Sequence, residues 1–409
     1  MATLTDTMRP ALSNPTPLIS TQRDFDALCD HLREAPVVAF DTEFVSERYF
    51  RPKLCLMQFA TPEQAAVVDP LAVPDLSAWW RIMVESDNPV IVHGGREEIR
   101  FCLRYAGAAP RNLVDVQIAE GLLTRTFPAS YKNLVQRVLG KVVHCTETRT
   151  DWEYRPLSTA QAEYALEDVQ FLPTVWEKQS AQLARLGRID WAAAEFRRLI
   201  ADVAAETDRE GWRRLPQANR FSQRELAVAR ELWNWREHYA QLIDRPSRVA
   251  FRDDLMTEVV RRRPRTVRDL NSTRGLQRRD YQRVAEEIVE AVRRGLETAE
   301  DALPPRHSVG KTTQHDDVLT KLTSLVLADR CAELNIALSL VGTTADVQDF
   351  VHWHVTERRK PPAPELMQGW RAIVCGELLH DILDGRIRFR VHNPQSANPL
   401  HYEHADGSP

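Results

Sequence analysis

The sequence predicts an α/β domain built on a mixed sheet, followed by all-helical domains. Three observations carry this. Short apolar, β-branched runs alternate with helical periodicity through the first half of the chain. From Arg224 onward the apolar spacing is helical, with Trp233, Trp235 and Leu255 on such stretches. A polar segment rich in Pro and His, Glu297 to Asp316, then divides the helical part in two. At 409 residues the chain is too long for one core, and 43% hydrophobic with 27% charged residues excludes a disordered protein.

The strands are read in order. Val37–Phe44, Leu54–Ala60 and Ala65–Val68 follow one another with no room for helices, which predicts an antiparallel meander. Val90–His93 and Leu113–Asp115 are separated by helical stretches, which predicts parallel additions to the same sheet. Met1 to Pro17 is polar, lacks an apolar signal-type core, and reads as a loose tail. No apolar run approaches the ~18 residues of a membrane span. The six cysteines are scattered without a Cys-x-x-Cys, the usage of reduced thiols in a cytoplasmic protein.

The first strand ends in Phe40-Asp41-Thr42-Glu43-Phe44. Alternation puts Asp41 and Glu43 on one face, and two carboxylates on a buried strand need a partner. A divalent cation with oxygen ligands would supply it, and a solvated strand end is the alternative. Later, Ser158 and Gln161 form a capping box for a helix on which Tyr164 and Asp168, four apart, share a face. Between them stand His93-Gly94-Gly95-Arg96-Glu97-Glu98, Asp115-Val116-Gln117 and Arg149-Thr150-Asp151-Trp152, with Leu54-Cys55-Leu56-Met57-Gln58 earlier.

Together these strings resemble the ribonuclease D branch of the DEDD 3′–5′ exonucleases, in the subclass with tyrosine in the last motif. The likeness covers about the first half of the chain. It implies a ribonuclease-H-like α/β fold and phosphodiester hydrolysis assisted by two divalent metal ions, Mg²⁺ or Mn²⁺. Asp41 and Glu43 match the first motif, and Tyr164 and Asp168 the third. Glu98 stands where the family has aspartate. All five are expected to be catalytic, with Asp41, Glu43 and Asp168 holding metal directly, Glu98 acting through water, and Tyr164 orienting the attacking water. Glutamate keeps the charge but moves it outward by about one C–C bond, and displacements of ~1 Å cost rate steeply in active sites. Glu98 is read as a tolerated departure, with a weakened site as the alternative.

Substrate contacts are expected from Phe44 and Val45 at the terminal base, Gln58 at the backbone, His93, Arg149 at a phosphate and Trp152 by stacking. For His93 and Trp152 a purely structural role is the competing reading.

The net charge of −4 is uneven. Gly211 to Gly295 holds 20 Arg, no Lys and 12 Asp+Glu, the footprint of a nucleic-acid handle or of a salt-bridged helical surface. Helices are expected at Arg224 to Ala240, Phe251 to Val260, near Val267–Leu270 and at Arg278 to Arg294. With Trp235-Arg236-Glu237, Asp244, Pro246 and Leu255 in order, this resembles the HRDC domain, which implies nucleic-acid binding or domain contact. The last part looks like a second HRDC-like unit, with Leu338–Thr343 turning between helices. The expected layout is therefore a tail to residue 17, an exonuclease domain over 18–205, an HRDC domain over 212–296, a linker over 297–316 and a helical domain over 317–400. The function expected is a cytoplasmic 3′–5′ exoribonuclease trimming structured RNA such as tRNA precursors and releasing nucleoside 5′-monophosphates. A DNA exonuclease and a catalytically weakened RNA-binding protein are the alternatives.

Overall fold

The computed structural model describes residues 18–144, 150–206, 210–306, 314–356, 359–396 and 399–405. The expected N-terminal tail and Arg149 lie outside these residues, as does part of the expected linker. The chain divides into two compact units. One is built from the residues before Phe44, from Cys55–Ala204 and from the C-terminal segment; the other from Phe44–Leu54 and the segment after Ala204.

A six-stranded mixed sheet organises the first unit. Its strands are β1 (Leu18–Ile19), β2 (Val38–Val45), β3 (Lys53–Ala60), β4 (Ala65–Val68), β5 (Val90–Val92) and β6 (Leu113–Asp115), in the order β1-β4-β3-β2-β5-β6. β3 and β4 are antiparallel, while β2, β5 and β6 run parallel. Five strands begin and end within a residue of the sequence reading. The sixth, β1, was not foreseen: two residues pair with β4 in parallel and carry no periodicity of their own.

The sheet is flanked by α1 (Gln22–Glu34), α2 (Ser77–Glu85), α3 (Arg96–Ala106), α4 (Val116–Leu123), α5 (Tyr131–Leu139), α6 (Thr159–Gln170), α7 (Leu172–Arg185) and α8 (Ile189–Ala204). Local chemistry starts several of them. Thr21 caps α1 by accepting from the Asp24 N–H, and the expected Ser158–Gln161 capping box opens α6. On one sheet face Phe40 stacks on Phe59 at 5.2 Å and meets Trp79 of α2 at 4.8 Å. Asp41 and Glu43, being one residue out of phase with Phe40, project from the other face.

The second unit holds α9 (Gln223–Leu242), α10 (Ser247–Ala250), α11 (Asp253–Arg262), α12 (Val267–Asn271), α13 (Arg279–Arg283) and α14 (Ala285–Glu297) around one apolar core. α9 and α14 approach so closely that a Cβ on Gly295 would lie 2.4 Å from the Val228 backbone. Arg236 is buried, bonded to Asp253 at 2.5 Å and lying over the Trp233 ring at 4.2 Å. The single helix expected over Arg278 to Arg294 is in fact two. Tyr281 and Val284 both enter the core, and Val284 leaves helical geometry at φ −115° and ψ 13°. The Phe44–Leu54 segment belongs here as well, with the Phe50 N–H donating to the Asp244 carboxylate at 3.1 Å.

The C-terminal segment forms α15 (Gln314–Leu334), α16 (Leu338–Val341), α17 (Thr344–Val355), α18 (Gly369–Arg371) and α19 (Glu377–Leu383), the last two joined by a π turn. Its apolar side chains share one core with α4, α7 and α8. The free carbonyls at the end of α4 are satisfied across this contact: Ala337 N–H bonds Gly121, Asn335 bonds Leu123, and Arg188 bonds both Leu122 and Leu334. Leu338–Thr343 turns between helices as expected, through the short α16. A hairpin of β7 (Ile387–Val391) and β8 (Leu400–His404) follows, which the helical reading did not foresee. Its signal was there in the alternation Ile387-Arg388-Phe389-Arg390-Val391.

Candidate active site

Three carboxylates from two elements meet beside the sheet. β2 contributes Asp41 and Glu43, and α6 contributes Asp168, with ligand oxygens all within 4.8 Å of one another. The arrangement is electrostatically costly. Burial, then Glu98, Asp168 and Glu43, push the Asp41 carboxyl well above its ordinary range. Burial, with Asp168 and Glu98 adding, pushes Glu43 up to about 8. Asp168 is raised to about 6 by burial, an effect tempered by the hydrogen bond it accepts from Tyr164. Crowded carboxylates of this kind demand protons or a cation. An all-oxygen donor set without Cys or His fits a hard divalent ion, so the residues present suit the group the fold implies.

Tyr164 lies one turn before Asp168 on α6, and burial, then Asp168 and Glu43, hold its hydroxyl in the phenol form. Trp152 packs on it at 5.9 Å between ring centres. Gln161, beyond its capping role, donates to the Thr150 hydroxyl at 2.8 Å and so ties the preceding loop to the helix.

Glu98 arrives from the first turn of α3. The turn into that helix is fixed by Asp115, which accepts from the N–H groups of Gly94 at 3.1 Å, Gly95 at 3.2 Å and Gln117 at 2.9 Å. Gly94 has φ +73°, and a Cβ on Gly95 would collide with Val92, so this sharp strand-to-helix turn needs both glycines. Glu98 is not one of the three clustered carboxylates; its Oε1 accepts from the Thr42 hydroxyl at 2.6 Å. Burial raises it to about 7, opposed by that hydrogen bond. Its neighbour Glu97 pairs instead with Arg100.

A family model described as 3′–5′ exonuclease matches residues 17–184, and one described as HRDC domain matches 225–292. A ribonuclease D from Gluconacetobacter diazotrophicus is 31% identical over 377 residues, covering 91% of this chain and 94% of the relative. The chain belongs to the ribonuclease D family. The Escherichia coli ribonuclease D is 28% identical over 370 residues, covering 90% of this chain and 98% of its own. The crystal structure of E. coli RNase D, an exoribonuclease involved in structured RNA processing, superposes with a TM-score of 0.79 at 26% identity, covering 90% of this chain and 99% of that one.

The remaining residues expected from the ribonuclease D likeness are placed unevenly. Phe44 is partly exposed and Val45 buried, at the end of β2. Gln58 is wholly buried on the carboxylate face of the sheet, one residue out of phase with Phe59, and neither of its amide atoms has a partner among the described residues. The His93 ring lies 2.9 Å from the Ala129 carbonyl and edge-on to Tyr131, so it braces the loop before α5. Trp152 is buried. Sequence reasoning passes over two further residues. Thr42 reads in sequence only as the spacer between two ligands. Arg155 binds Asp69 at 2.6 and 2.7 Å and the carbonyls of Cys55, Trp152 and Tyr154, locking the turn that leads into α6. A charged residue beside Pro156 just ahead of a capped helix was the available signal.

Proposed function

We propose that this exoribonuclease removes nucleotides one at a time from the 3′ end of structured RNA such as tRNA precursors, releasing nucleoside 5′-monophosphates. The observation that carries the reading is the Asp41–Glu43–Asp168 cluster, whose oxygens crowd within 4.8 Å in a half-buried site. Asp41, Glu43 and Asp168 would hold two divalent cations, Mg²⁺ or Mn²⁺, with Glu98 reaching the second through water. Bound there, the cations would acidify a water and offset charge on the scissile phosphate. Tyr164, kept as a phenol, would orient the attacking water by hydrogen bonding while Asp168 fixes the direction of its hydroxyl. Phe44 would wedge against the terminal base, and Arg149 would meet a phosphate. Asp115 and Arg155 act at one remove, by fixing the turns that carry Glu98 and α6.

Substrate grip beyond the site is assigned to the arginine-rich unit. Many of its arginines are paired, as in Arg252–Asp254 and Arg293–Glu290. Six exposed ones, Arg263, Arg265, Arg268, Arg274, Arg279 and Arg283, have no carboxylate partner among the described residues and run from the end of α11 through α13. Unpaired guanidinium groups in one stretch suit phosphate contact. We assign the exonuclease domain to 18–205, the HRDC domain to 212–296, a linker to 297–316 and a further helical domain to 317–400. The cellular compartment is taken to be the cytoplasm, supported by the free, buried thiols of Cys29, Cys102, Cys331 and Cys375.

The test is degradation of matched 3′-structured RNA and DNA oligomers in Mg²⁺ and in Mn²⁺. Metal-dependent mononucleotide release from RNA is expected. Faster release from DNA would support a DNA exonuclease, and binding without release a weakened site.

A further inference from the structure

Thr42 stands between the two carboxylates of β2, yet its side chain does not join them. Alternation sends it to the face of Phe40, where α2 packs, and α3 packs against α2. The first turn of α3 brings Glu98 within reach of that hydroxyl. The contact made there is close and sheltered: Thr42 Oγ1 donates to Glu98 Oε1 at 2.6 Å, with Thr42 5% and Glu98 4% exposed. Two carboxylates and the group that orients a third thus sit on three consecutive residues of one strand.

Resting on the two-metal reading above, we propose that Thr42 is a positioning residue: its hydroxyl pins one oxygen of Glu98 so that this longer side chain can serve the second cation. Two physical points support it. A glutamate has one more side-chain torsion than an aspartate, so it loses more freedom on being held and profits more from a fixed donor. A threonine on a strand is stiff at χ1, and a hydrogen bond to an ionised carboxylate is among the stronger kinds. An aspartate at position 98 would draw back by about 1.5 Å, the length of a C–C bond, and leave the hydroxyl out of reach. Thr42 and Glu98 are therefore one device, in which the donor on β2 compensates for the extra methylene on α3.

The experiment is titration of the metal-free full-length protein with Mn²⁺, with free Mn²⁺ followed by electron paramagnetic resonance. Thr42→Val keeps the shape and removes the donor; Thr42→Ser keeps the donor. The natural protein is expected to take up two ions. In Thr42→Val the first should bind as before and the second about tenfold more weakly, the cost of one charged hydrogen bond. Thr42→Ser should restore it, and Thr42→Val added to Glu98→Asp should change nothing further. Unchanged binding in Thr42→Val, equal weakening of both ions, or losses that add in the double variant would each overturn the assignment. A natural protein that binds a single Mn²⁺ would remove the two-metal reading and this inference with it.

Discussion

Glu195 of α8 and Arg371 of α18 form a buried two-pronged pair, with Nη1 at 2.6 Å and Nη2 at 2.9 Å from the two carboxylate oxygens. Trp370 adds its indole N–H to the same carboxylate at 2.7 Å. The residues are about 175 apart in sequence, and the bond joins the sheet-bearing part of the unit to its C-terminal helices. Removing one partner of a buried pair strands the other charge. Arg371→Met should therefore destabilise the protein by about 3–5 kcal/mol, read as a lower urea midpoint. A change below about 1 kcal/mol would mean the pair contributes little beyond packing.

The carboxylate cluster makes the metal-free protein sensitive to pH. Glu43, Glu98 and Asp168 have folded values raised to about 8, 7 and 6. Between an unfolded value of about 4 and these values the folded state binds more protons than the unfolded one, so stability falls as pH rises. In chelator, the melting temperature should drop from pH 5 to pH 8, and saturating Mg²⁺ should remove most of that slope. A flat profile in chelator would show that these carboxylates are not buried together.

Asp41→Asn should flatten the same profile and raise metal-free stability, because it deletes one charge from a repelling set. A melting temperature below that of the natural protein at pH 8 in chelator would contradict this.

Glu98→Asp should slow hydrolysis in Mg²⁺ by about tenfold, although it restores the family's residue type. Its carboxylate would lose the Thr42 hydroxyl, and small displacements are costly in an octahedral Mg²⁺ site. A faster enzyme would mean that Glu98 is a handicap.

Replacing Arg263, Arg265, Arg268 and Arg274 with Gln should weaken binding to long structured RNA and flatten its salt dependence. Each phosphate left without its guanidinium should lower the logarithmic slope by about 0.7–0.9. Cleavage of short oligomers should hardly change. Point changes serve better than truncation after residue 210, because the C-terminal helices share a core with α4, α7 and α8 and their loss would damage the catalytic unit. Equal salt slopes would direct this surface to a protein partner.

Much of the fold was legible because its signals are local. β2 to β6 announce themselves by short β-branched runs, and α6 by a capping box. Alternation puts Asp41 with Glu43 and helix periodicity puts Tyr164 with Asp168, and the ribonuclease D likeness joins the two pairs into one site. What stayed hidden depends on distant partners. β1 exists only because β4 offers an edge, and Val284 breaks a helix only because the core takes its side chain. Glu195, Arg371 and the Thr42–Glu98 bond leave no mark on neighbouring sequence, and Arg155 acts through Asp69, 86 residues away.

The central claim is that the Asp41–Glu43–Asp168 cluster holds the cations that drive 3′ trimming of RNA. The most direct measurement is release of nucleoside 5′-monophosphates from a 3′-labelled RNA hairpin by the natural protein and by Asp41→Ala, each with Mg²⁺ and with chelator. Release only by the natural protein, and only with metal, is predicted, with RNA binding by Asp41→Ala retained. Comparable turnover by Asp41→Ala, or by the natural protein in chelator, would contradict the account.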